Sequence, residues 1–363
     1  EMRRKLHGKT PNLDLACSIN NVGLAYQKLG DMQNGLKYQE EALIMRQQLY
    51  GEAPHAHIAC SLNNIGVAYQ ALGDVRKGLS YQEKALAMRQ QLYGDVPHPH
   101  MASSFNNLGS AYQDLGDVRK GLIYFEQALK LYKTLHREEL HSDLAVALTN
   151  VGLACHQLGD AQKGLIYLKQ ALDIHRKLYG DTPHSDTASS LNSLGAAYEA
   201  LGDIKQGFNY KEQALMMRQQ LYGDTPHPNV ANSLNSVGVV YEALGDAQKG
   251  LTYQERALAM YKTLYGDTPN PYTAMCLNSL AITYENLGDT KKGIEYRKQV
   301  LAVYQVLYGD TPRPDVASTL NNMGVAYDAL GDIRKGLMYK ELPSFLGIQS
   351  LSTFKSAFNP SIK

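Results

Sequence analysis

The sequence predicts an all-α protein, a solenoid of eight helical-hairpin repeats of 43 residues each. The first observation is a Leu-Gly-Asp tripeptide that recurs without a gap along the 363-residue chain. Its copies begin at residues 29, 72, 115, 158, 201, 244, 287 and 330. The second observation is that each block carries two apolar stripes with helical spacing. A fixed period of about 20–50 residues is typical of proteins in which each unit packs only against its neighbours. Such an array presents a long repeated surface, so we expect binding rather than catalysis.

The first helix of a repeat is illustrated by residues 59–72. Leu62, Ile65 and Tyr69 are spaced by three and four residues, so they form one apolar stripe of a helix. Gly73 ends this helix, because glycine adopts the left-handed conformation without a Cβ clash. We therefore predict a first helix of about 14 residues.

The second helix begins after Asp74, whose carboxylate can accept hydrogen bonds from the first turn. Gly94 and the two prolines of the following Asp-Val-Pro-His-Pro stretch end it, so it spans about 19 residues. A glycine inside this helix, Gly78, recurs in all eight repeats, although such a residue costs about 1 kcal/mol relative to alanine. We attribute this recurrence to a close approach of the two paired helices.

The period divides the chain into three parts. Residues 1–15 match the end of a repeat, and we expect them to be the end of a truncated preceding repeat and its linker. Residues 16–342 form the repeat array, and residues 343–363 lack the period. The repeats start near residues 16, 59, 102, 145, 188, 231, 274 and 317.

Two stretches depart from the repeat. Residues 135–142 lack the Gly-Asp-Thr-Pro linker, which predicts a more helical or differently angled third-to-fourth junction. The stretch 342–347, with the sequence Leu-Pro-Ser-Phe-Leu-Gly, is expected to break the last second helix. The Ser-rich tail beyond it either folds back on the last repeat or is disordered, and we favour a loosely docked or disordered tail.

With the two-helix unit established, the repeat resembles the tetratricopeptide repeat. The matching residues are Leu62, Ile65, Gly66, Tyr69, Gly73 and Ala85. Gly78 replaces the family's usual alanine, and the unit is longer than the common form of about 34 residues. The long second helix, the Leu-Asn-Asn opening and the Pro-x-Val-Ala linker are similar to those of kinesin light chain and nephrocystin-3. The resemblance covers about residues 12–342. It implies a right-handed superhelix whose first helices line a concave, peptide-binding groove.

The composition excludes several classes of partner. Thirty-six basic and 35 acidic residues leave a net charge of +1, so no overall charge attracts nucleic acid or an anionic membrane. No apolar run approaches the roughly 20 residues of a membrane span, so we expect no membrane insertion. Four cysteines are too few for a disulfide scaffold and suit a reducing compartment. We therefore predict a cytoplasmic protein.

No residue pattern indicates an enzyme, a cofactor or a metal. The linker histidines, such as His98 and His100, lack a nearby cysteine or carboxylate constellation of the kind that binds metals. The Gly-Asp pairs stand between helices rather than after a strand, so they do not form a phosphate-binding loop. Basic pairs such as Arg76 and Lys77 could form a ridge for phosphates, but we interpret them as a solvated helix face.

The main candidate site is the side of each first helix that lies opposite its buried stripe. One position there is asparagine in seven of eight repeats, with Thr149 as the exception, and the next position is asparagine in five. An amide offers both a donor and an acceptor, so stacked asparagines can bracket the backbone of an extended peptide. Alternatively, these amides satisfy helix ends or each other. The candidates are Asn20, Asn21, Asn63, Asn64, Asn106, Asn107, Asn150, Asn192, Asn235, Asn278, Asn321 and Asn322.

A polar position seven residues further along each first helix changes character along the chain. It is neutral in the N-terminal half and acidic in the C-terminal half. Its candidates are Gln70, Gln113, Glu199, Glu242, Glu285 and Asp328. We expect the acidic half to favour ligands with Lys or Arg, unless these acids pair with basic residues of a neighbouring second helix.

Taken together, these patterns predict a noncatalytic protein–protein interaction scaffold that binds extended peptide segments of a protein partner. One alternative is the ligand-sensing arm of a larger signalling ATPase or regulator. Another is a cargo adaptor like kinesin light chain, whose groove for acidic cargo needs basic residues that these positions do not supply. The sequence leaves the oligomeric state open.

Overall fold

The computed structural model describes residues 11–28, 31–137, 139–309 and 313–345. Over these ranges the chain has sixteen helices and no strand. Consecutive helices pair as hairpins in which a first helix of 16 residues precedes a second helix of 19, as in the second repeat. The predicted fold class, an all-α array of eight helical hairpins, is confirmed.

The contacts divide the chain into two compact units of four hairpins each, Glu1–Asp181 (unit 1) and Thr182–Lys363 (unit 2). The helices of unit 1 are α1 (Leu13–Lys28), α2 (Met32–Tyr50), α3 (Ala56–Ala71), α4 (Val75–Tyr93), α5 (Pro99–Asp114), α6 (Val118–His136), α7 (Ser142–Gln157) and α8 (Ala161–Tyr179). The helices of unit 2 are α9 (Ser185–Ala200), α10 (Ile204–Tyr222), α11 (Pro228–Ala243), α12 (Ala247–Tyr265), α13 (Pro271–Asn286), α14 (Thr290–Tyr308), α15 (Pro314–Ala329) and α16 (Ile333–Phe345). Odd numbers denote first helices and even numbers second helices.

Most helices begin and end next to the residues from which their ends are predicted. The Asp74 carboxylate accepts a hydrogen bond from the backbone N–H of Lys77 at 3.2 Å, and α4 ends at Gly94 with a φ of 55°. The first helix α3 begins at Ala56, three residues before the apolar stripe suggests. His55 is the N-cap residue of this helix and accepts a hydrogen bond from the backbone N–H of His57.

The two helices of a hairpin approach closely at a pair of small residues, which are both glycine in every repeat except the seventh, where Ala281 replaces the first of them. A Cβ atom on Gly78 would lie 2.6 Å from the carbonyl oxygen of Gly66, and one on Gly66 would lie 2.8 Å from that of Gly78. The predicted role of the recurring glycine is therefore confirmed. Around this contact the core is formed by equivalent apolar residues such as Ile65, Leu108 and Leu280, each fully buried.

The third-to-fourth junction does not show the first of its two predicted outcomes, a longer helix. Helix α6 ends at His136 and α7 begins at Ser142, so both helices keep the standard lengths and the junction is not more helical. Arg137 takes a φ of 50°, the left-handed region that Gly94 occupies at the end of α4. The backbone must turn in this way to leave the second helix, whichever residue stands there.

At the other end, α16 includes Pro343 and ends at Phe345, inside the stretch 342–347 that the sequence predicts to break it, so this helix has 13 residues rather than 19. Proline lacks one donor, but the residues after it can still complete a last turn. The predictions for residues 1–10 and for the tail 346–363 fall outside the described residues.

Two further sequence expectations can be compared with the fold. In the described ranges, no helix combines the length and apolar character that crossing a membrane requires. All four cysteines are free thiols, and burial raises the pKa of Cys276 to about 12.

Candidate functional site

In unit 1, asparagines link the first helices of neighbouring repeats. In each link the side-chain N–H of one asparagine donates to the side-chain oxygen of an asparagine 44 residues earlier. The pairs are Asn64 to Asn20 at 3.3 Å, Asn107 to Asn63 at 2.9 Å and Asn150 to Asn106 at 3.4 Å. We call these six residues the amide ladder. Their bonds show that many of the candidate amides satisfy one another, as the alternative interpretation proposed.

The two rows of the ladder differ in exposure. Of the acceptors, Asn20 and Asn63 are 7% and 8% exposed, whereas Asn106 is partly exposed. The donors Asn64 and Asn107 are partly exposed, and Asn21 at the start of the same row is exposed. The outer row therefore presents amide groups to solvent, whereas the inner row mainly supports it.

Unit 2 lacks a continuous amide ladder. Asn235 is 4% exposed and donates to the hydroxyl of Ser279 at 3.2 Å, because serine replaces the outer asparagine there. Asn278 accepts a hydrogen bond from Arg297 at 3.0 Å. The remaining candidates lie on the same helix face, with Asn321 exposed and Asn192 and Asn322 partly exposed.

The position occupied by Gln70 connects the two helices of a hairpin as well as neighbouring first helices. Gln82 of α4 donates to Gln70 at 3.0 Å, and Gln70 donates to Asp114 of α5 at 2.6 Å. Gln113 donates to Gln157 of α7 at 2.7 Å. These residues hold the row of first helices together in unit 1.

The acidic positions of unit 2 are mostly neutralised inside the protein. Glu199 accepts from Lys211 at 2.7 Å, and the lysine is only 7% exposed. Glu285 accepts two hydrogen bonds from the 2% exposed Arg297, at 2.8 and 2.7 Å. The remaining ion pair joins Asp328 to Lys340. The structure therefore does not support a groove that attracts basic ligands, because three of the four carboxylates already have cationic partners.

Glu242 differs from the other three acids. It accepts from the hydroxyl of Thr283 at 2.7 Å and from the amide of Asn286, both on α13. These neutral donors join α11 to α13. In the other three repeats the cationic partner stands twelve residues after the acid. That spacing is the sequence signal by which the ion pairs could have been found.

Buried arginines of three second helices donate hydrogen bonds to the beginning of the following first helix. Arg46 of α2 is 3% exposed and donates to the Ser61 hydroxyl at 2.6 Å and to the His57 carbonyl oxygen at 3.0 Å. Arg89 and Arg218 make the equivalent contacts in their own repeats. Each arginine thus fixes the start of the next first helix.

Lysines at the start of several second helices pack over tyrosine rings of the preceding first helix. The Lys77 ammonium lies 4.1 Å from the centre of the Tyr69 ring, and the Tyr69 hydroxyl donates to Glu40 of the preceding repeat at 2.8 Å. A hydrogen bond with Tyr69 raises the pKa of Lys77. Lys120, Lys249 and Lys292 lie over tyrosines in the same way.

One group of side chains has the composition of a metal site. Atoms of His136, His141 and Asp143 lie within 4.8 Å of one another. The two imidazole rings stack with an interplanar angle of 8° and a centroid distance of 4.0 Å. Because a bound ion must lie in the plane of each ligating ring, two stacked parallel rings cannot share one ion in this arrangement. This cluster is therefore not a formed metal centre.

Comparison with known families identifies the repeat. A tetratricopeptide repeat model matches residues 57–134, 143–220, 186–263, 229–305 and 272–339, and a second tetratricopeptide repeat model matches residues 16–57. No curated protein matches the sequence.

Solved structures share the fold at low sequence identity. BtubC (BKLC) from P. vanneervenii is 24% identical, with a TM-score of 0.53 over 66% of this chain and 94% of its own. The apo quorum sensor NprR from B. thuringiensis is 15% identical, with a TM-score of 0.62 over 90% of this chain and 87% of its own. The Rap conjugation gene regulator of plasmid pLS20, in complex with the Phr* peptide, is 14% identical, with a TM-score of 0.61 over 97% of this chain and 98% of its own.

Proposed function

The chain belongs to the tetratricopeptide repeat family, and from that premise we propose that it is a noncatalytic interaction module. In this proposal the first-helix face of unit 1 binds an extended peptide segment of a partner protein. The outer row of the amide ladder contacts the peptide backbone, whose own N–H and C=O groups repeat at regular intervals. Recognition of the backbone makes the site tolerant of the ligand's side chains.

The observation that carries the proposal is the difference in exposure between the two rows of the ladder. All three inner amides accept a bond from an outer amide, and two of them, Asn20 and Asn63, are buried, so they hold the outer amides in place. Val67, which follows Asn64 by one helical turn, is 38% exposed on the same face. An exposed apolar side chain beside a row of fixed amides suits an extended peptide better than a small polar metabolite.

The test uses random 12-residue peptides displayed on phage and selected on the full chain. Selected peptides are expected to lose at least tenfold in affinity for Val67→Glu, because a longer, charged side chain obstructs the face. They are expected to lose a similar amount for the triple variant Asn64→Ala, Asn107→Ala and Asn150→Ala. Fluorescence anisotropy with labelled peptides measures both effects.

Ser80→Glu is the matched control. Ser80 is exposed on α4, a second helix, so the same added charge lies away from the first-helix face. Peptide binding to this variant should equal that of the unaltered protein, and circular dichroism should show equal helicity in all variants. Peptides that bind every variant equally would locate the binding surface elsewhere and contradict the proposal.

The descriptions of two solved structures with a similar fold bear on the class of ligand that this chain binds. The Rap regulator holds a peptide, and NprR is described as a quorum sensor. Both fit a second candidate, in which the repeats are the ligand-sensing arm of a larger signalling protein. A cargo adaptor like kinesin light chain is a third candidate. Upstream sequence distinguishes them, because the sensing arm requires an effector domain and the adaptor requires a coiled coil.

We also propose that the protein acts in the cytoplasm without a cofactor. The four free cysteines support a reducing compartment. Partners that are nucleic acids or membranes are not part of the proposal, because the net charge of +1 provides no general attraction to them.

A further inference from the structure

Five first helices are capped by the neutral ring of a linker histidine. In each, Nδ1 accepts a hydrogen bond from the backbone N–H two residues later, at 3.1 or 3.2 Å. The five residues are His55, His98, His141, His184 and His227. This bond requires an unprotonated Nδ1, since an imidazolium carries N–H at both nitrogens and has no acceptor. In the following repeat Asn270 takes the same position, and its side-chain oxygen accepts from the Tyr272 N–H at 2.9 Å.

At three of these caps, a buried arginine binds the same residue that donates its N–H to the histidine ring. At His98, the N–H of His100 donates to the ring, while Arg89 donates to the His100 carbonyl oxygen at 2.8 Å. The two side chains therefore hold the same residue, one at its N–H and one at its C=O. We call these three sites the Arg-backed caps. They are His55 with Arg46, His98 with Arg89, and His227 with Arg218.

The other two histidine caps have acidic neighbours instead. Nδ1 of His141 lies 3.4 Å from a carboxylate oxygen of Asp143, and Nδ1 of His184 lies 3.7 Å from one of Asp186. A protonated ring at either site would gain a carboxylate partner. The residues that replace the arginine in these repeats are Tyr132 and His175. The charge around a cap thus differs systematically between the two groups.

We propose that the Arg-backed caps make their repeat junctions sensitive to acid. As the pH falls below neutral, protonation of the ring removes the hydrogen bond that caps the helix. It also places a cation beside a buried guanidinium and at a helix N-terminus, where the helix dipole disfavours positive charge. The first turns of α3, α5 and α11 then loosen. Those turns contain the buried core residues Ile58, Met101 and Val230, so loosening weakens the packing between adjacent repeats.

The surroundings of the rings support this direction. Burial, and then Arg89, lower the pKa of His98, and burial followed by Arg218 lowers the pKa of His227. A histidine whose pKa lies below 6.5 in the folded chain binds fewer protons there than in the unfolded chain. Its stabilising contribution is therefore complete above pH 6.5 and is lost as the pH falls through 6.5 toward the folded-state pKa. The titratable groups that face His55 are Tyr50 and His57, and Arg46 binds the carbonyl oxygen of His57. Those that face His98 are Tyr93, Arg89 and His100, and those that face His227 are Tyr222 and Arg218.

A local experiment compares two caps of unit 2. Hydrogen exchange is measured at pH 7.5 and 5.5 and converted to protection factors for the N–H groups of Asn229 and Tyr272. The Asn229 N–H, capped by His227, should lose about fivefold in protection at pH 5.5, the order expected for one lost cap. The Tyr272 N–H, capped by Asn270, should not change. In His227→Asn the loss at Asn229 should disappear. An equal loss at both positions, or persistence of the loss in His227→Asn, would overturn the proposal.

A second experiment measures the thermal stability of the whole chain. The triple variant His55→Asn, His98→Asn and His227→Asn keeps a capping side chain that the protein itself uses at residue 270, so folding is retained. The fall in Tm between pH 7.5 and 5.5 should shrink by at least half in this variant. The double variant His141→Asn and His184→Asn, which changes only the acid-flanked caps, should keep the unaltered fall. An unaltered fall in the triple variant, or an equal reduction in the double variant, would contradict the role of the arginines.

Discussion

At the residue scale, the repeats differ most in their buried polar side chains. Lys211 and Arg297 reach acidic partners, whereas Arg46 reaches a hydroxyl and a carbonyl oxygen. A buried cation without such partners would be strongly destabilising. A repeat that carries one of these buried cations therefore also carries the residue that binds it, and the sequence contains both members of each pair. Arg137 is a different case, because its backbone conformation is one that glycine adopts at equivalent ends.

The substitution Arg137→Gly is expected to stabilise the chain by about 1 kcal/mol. An L-residue in the left-handed region pays a steric cost that glycine avoids. Arg137 is exposed, so little packing is lost. Urea unfolding followed by circular dichroism measures the change. Gly94→Ala, made at the end of α4 where φ is 55°, should shift stability in the opposite direction. A neutral result for both variants would show that these turns relax without cost.

At the element scale, the hairpin is held by contacts between positions twelve residues apart. The Gln70–Gln82 pair of the second repeat and the Glu199–Lys211 pair of the fifth are equivalent. One is neutral and the other charged, yet both join the first helix to the second at the same place. The glycine contact beside them allows this reach, since larger residues would separate the helices.

Exchanging the charged pair for the neutral one tests this equivalence. Glu199→Gln alone is expected to cost about 1–3 kcal/mol, because it leaves the Lys211 ammonium buried without a counter-charge. Adding Lys211→Gln, which recreates the pair of the second repeat, should recover at least half of that loss. A double-mutant cycle from urea unfolding measures the coupling. Additive losses would mean that the two side chains stabilise the hairpin independently.

At the scale of the whole molecule, the hairpins of each unit pack against the hairpins next to them in the sequence. Ile65 packs in a cluster with Leu43, Ile58 and Leu62, which come from two adjacent repeats. Leu280, at the equivalent position of unit 2, packs in a cluster of its own. Stability in such an array is approximately a sum of repeat and interface contributions, so a defect should remain local.

Ile65→Ala and Leu280→Ala should therefore destabilise different parts of the chain. Each removes a fully buried side chain and is expected to cost about 2–5 kcal/mol locally. Hydrogen exchange followed by mass spectrometry should show lost protection in α2–α5 for the first variant and in α11–α14 for the second. Loss of protection throughout the chain in either variant would indicate that all the repeats unfold as one cooperative unit.

The sequence by itself determined the architecture, because helix formation and hairpin pairing depend on local signals repeated in every unit. The apolar spacing around Ile65, the glycine that follows most helices and the capping aspartate predicted the hairpins, the ends of the first helices and the starts of the second helices. The first helices begin earlier than the apolar spacing indicates, as α3 does. The tertiary structure decided which polar groups remain available to a ligand. Other helices of the chain decide whether the side chain of Asn63 is exposed to solvent or bonded to Asn107. They also decide whether a cation lies beside Glu199. Hydrogen bonding and ion pairing at these positions act over a few ångströms between segments 12 or 44 residues apart, so only the packed structure brings the partners together.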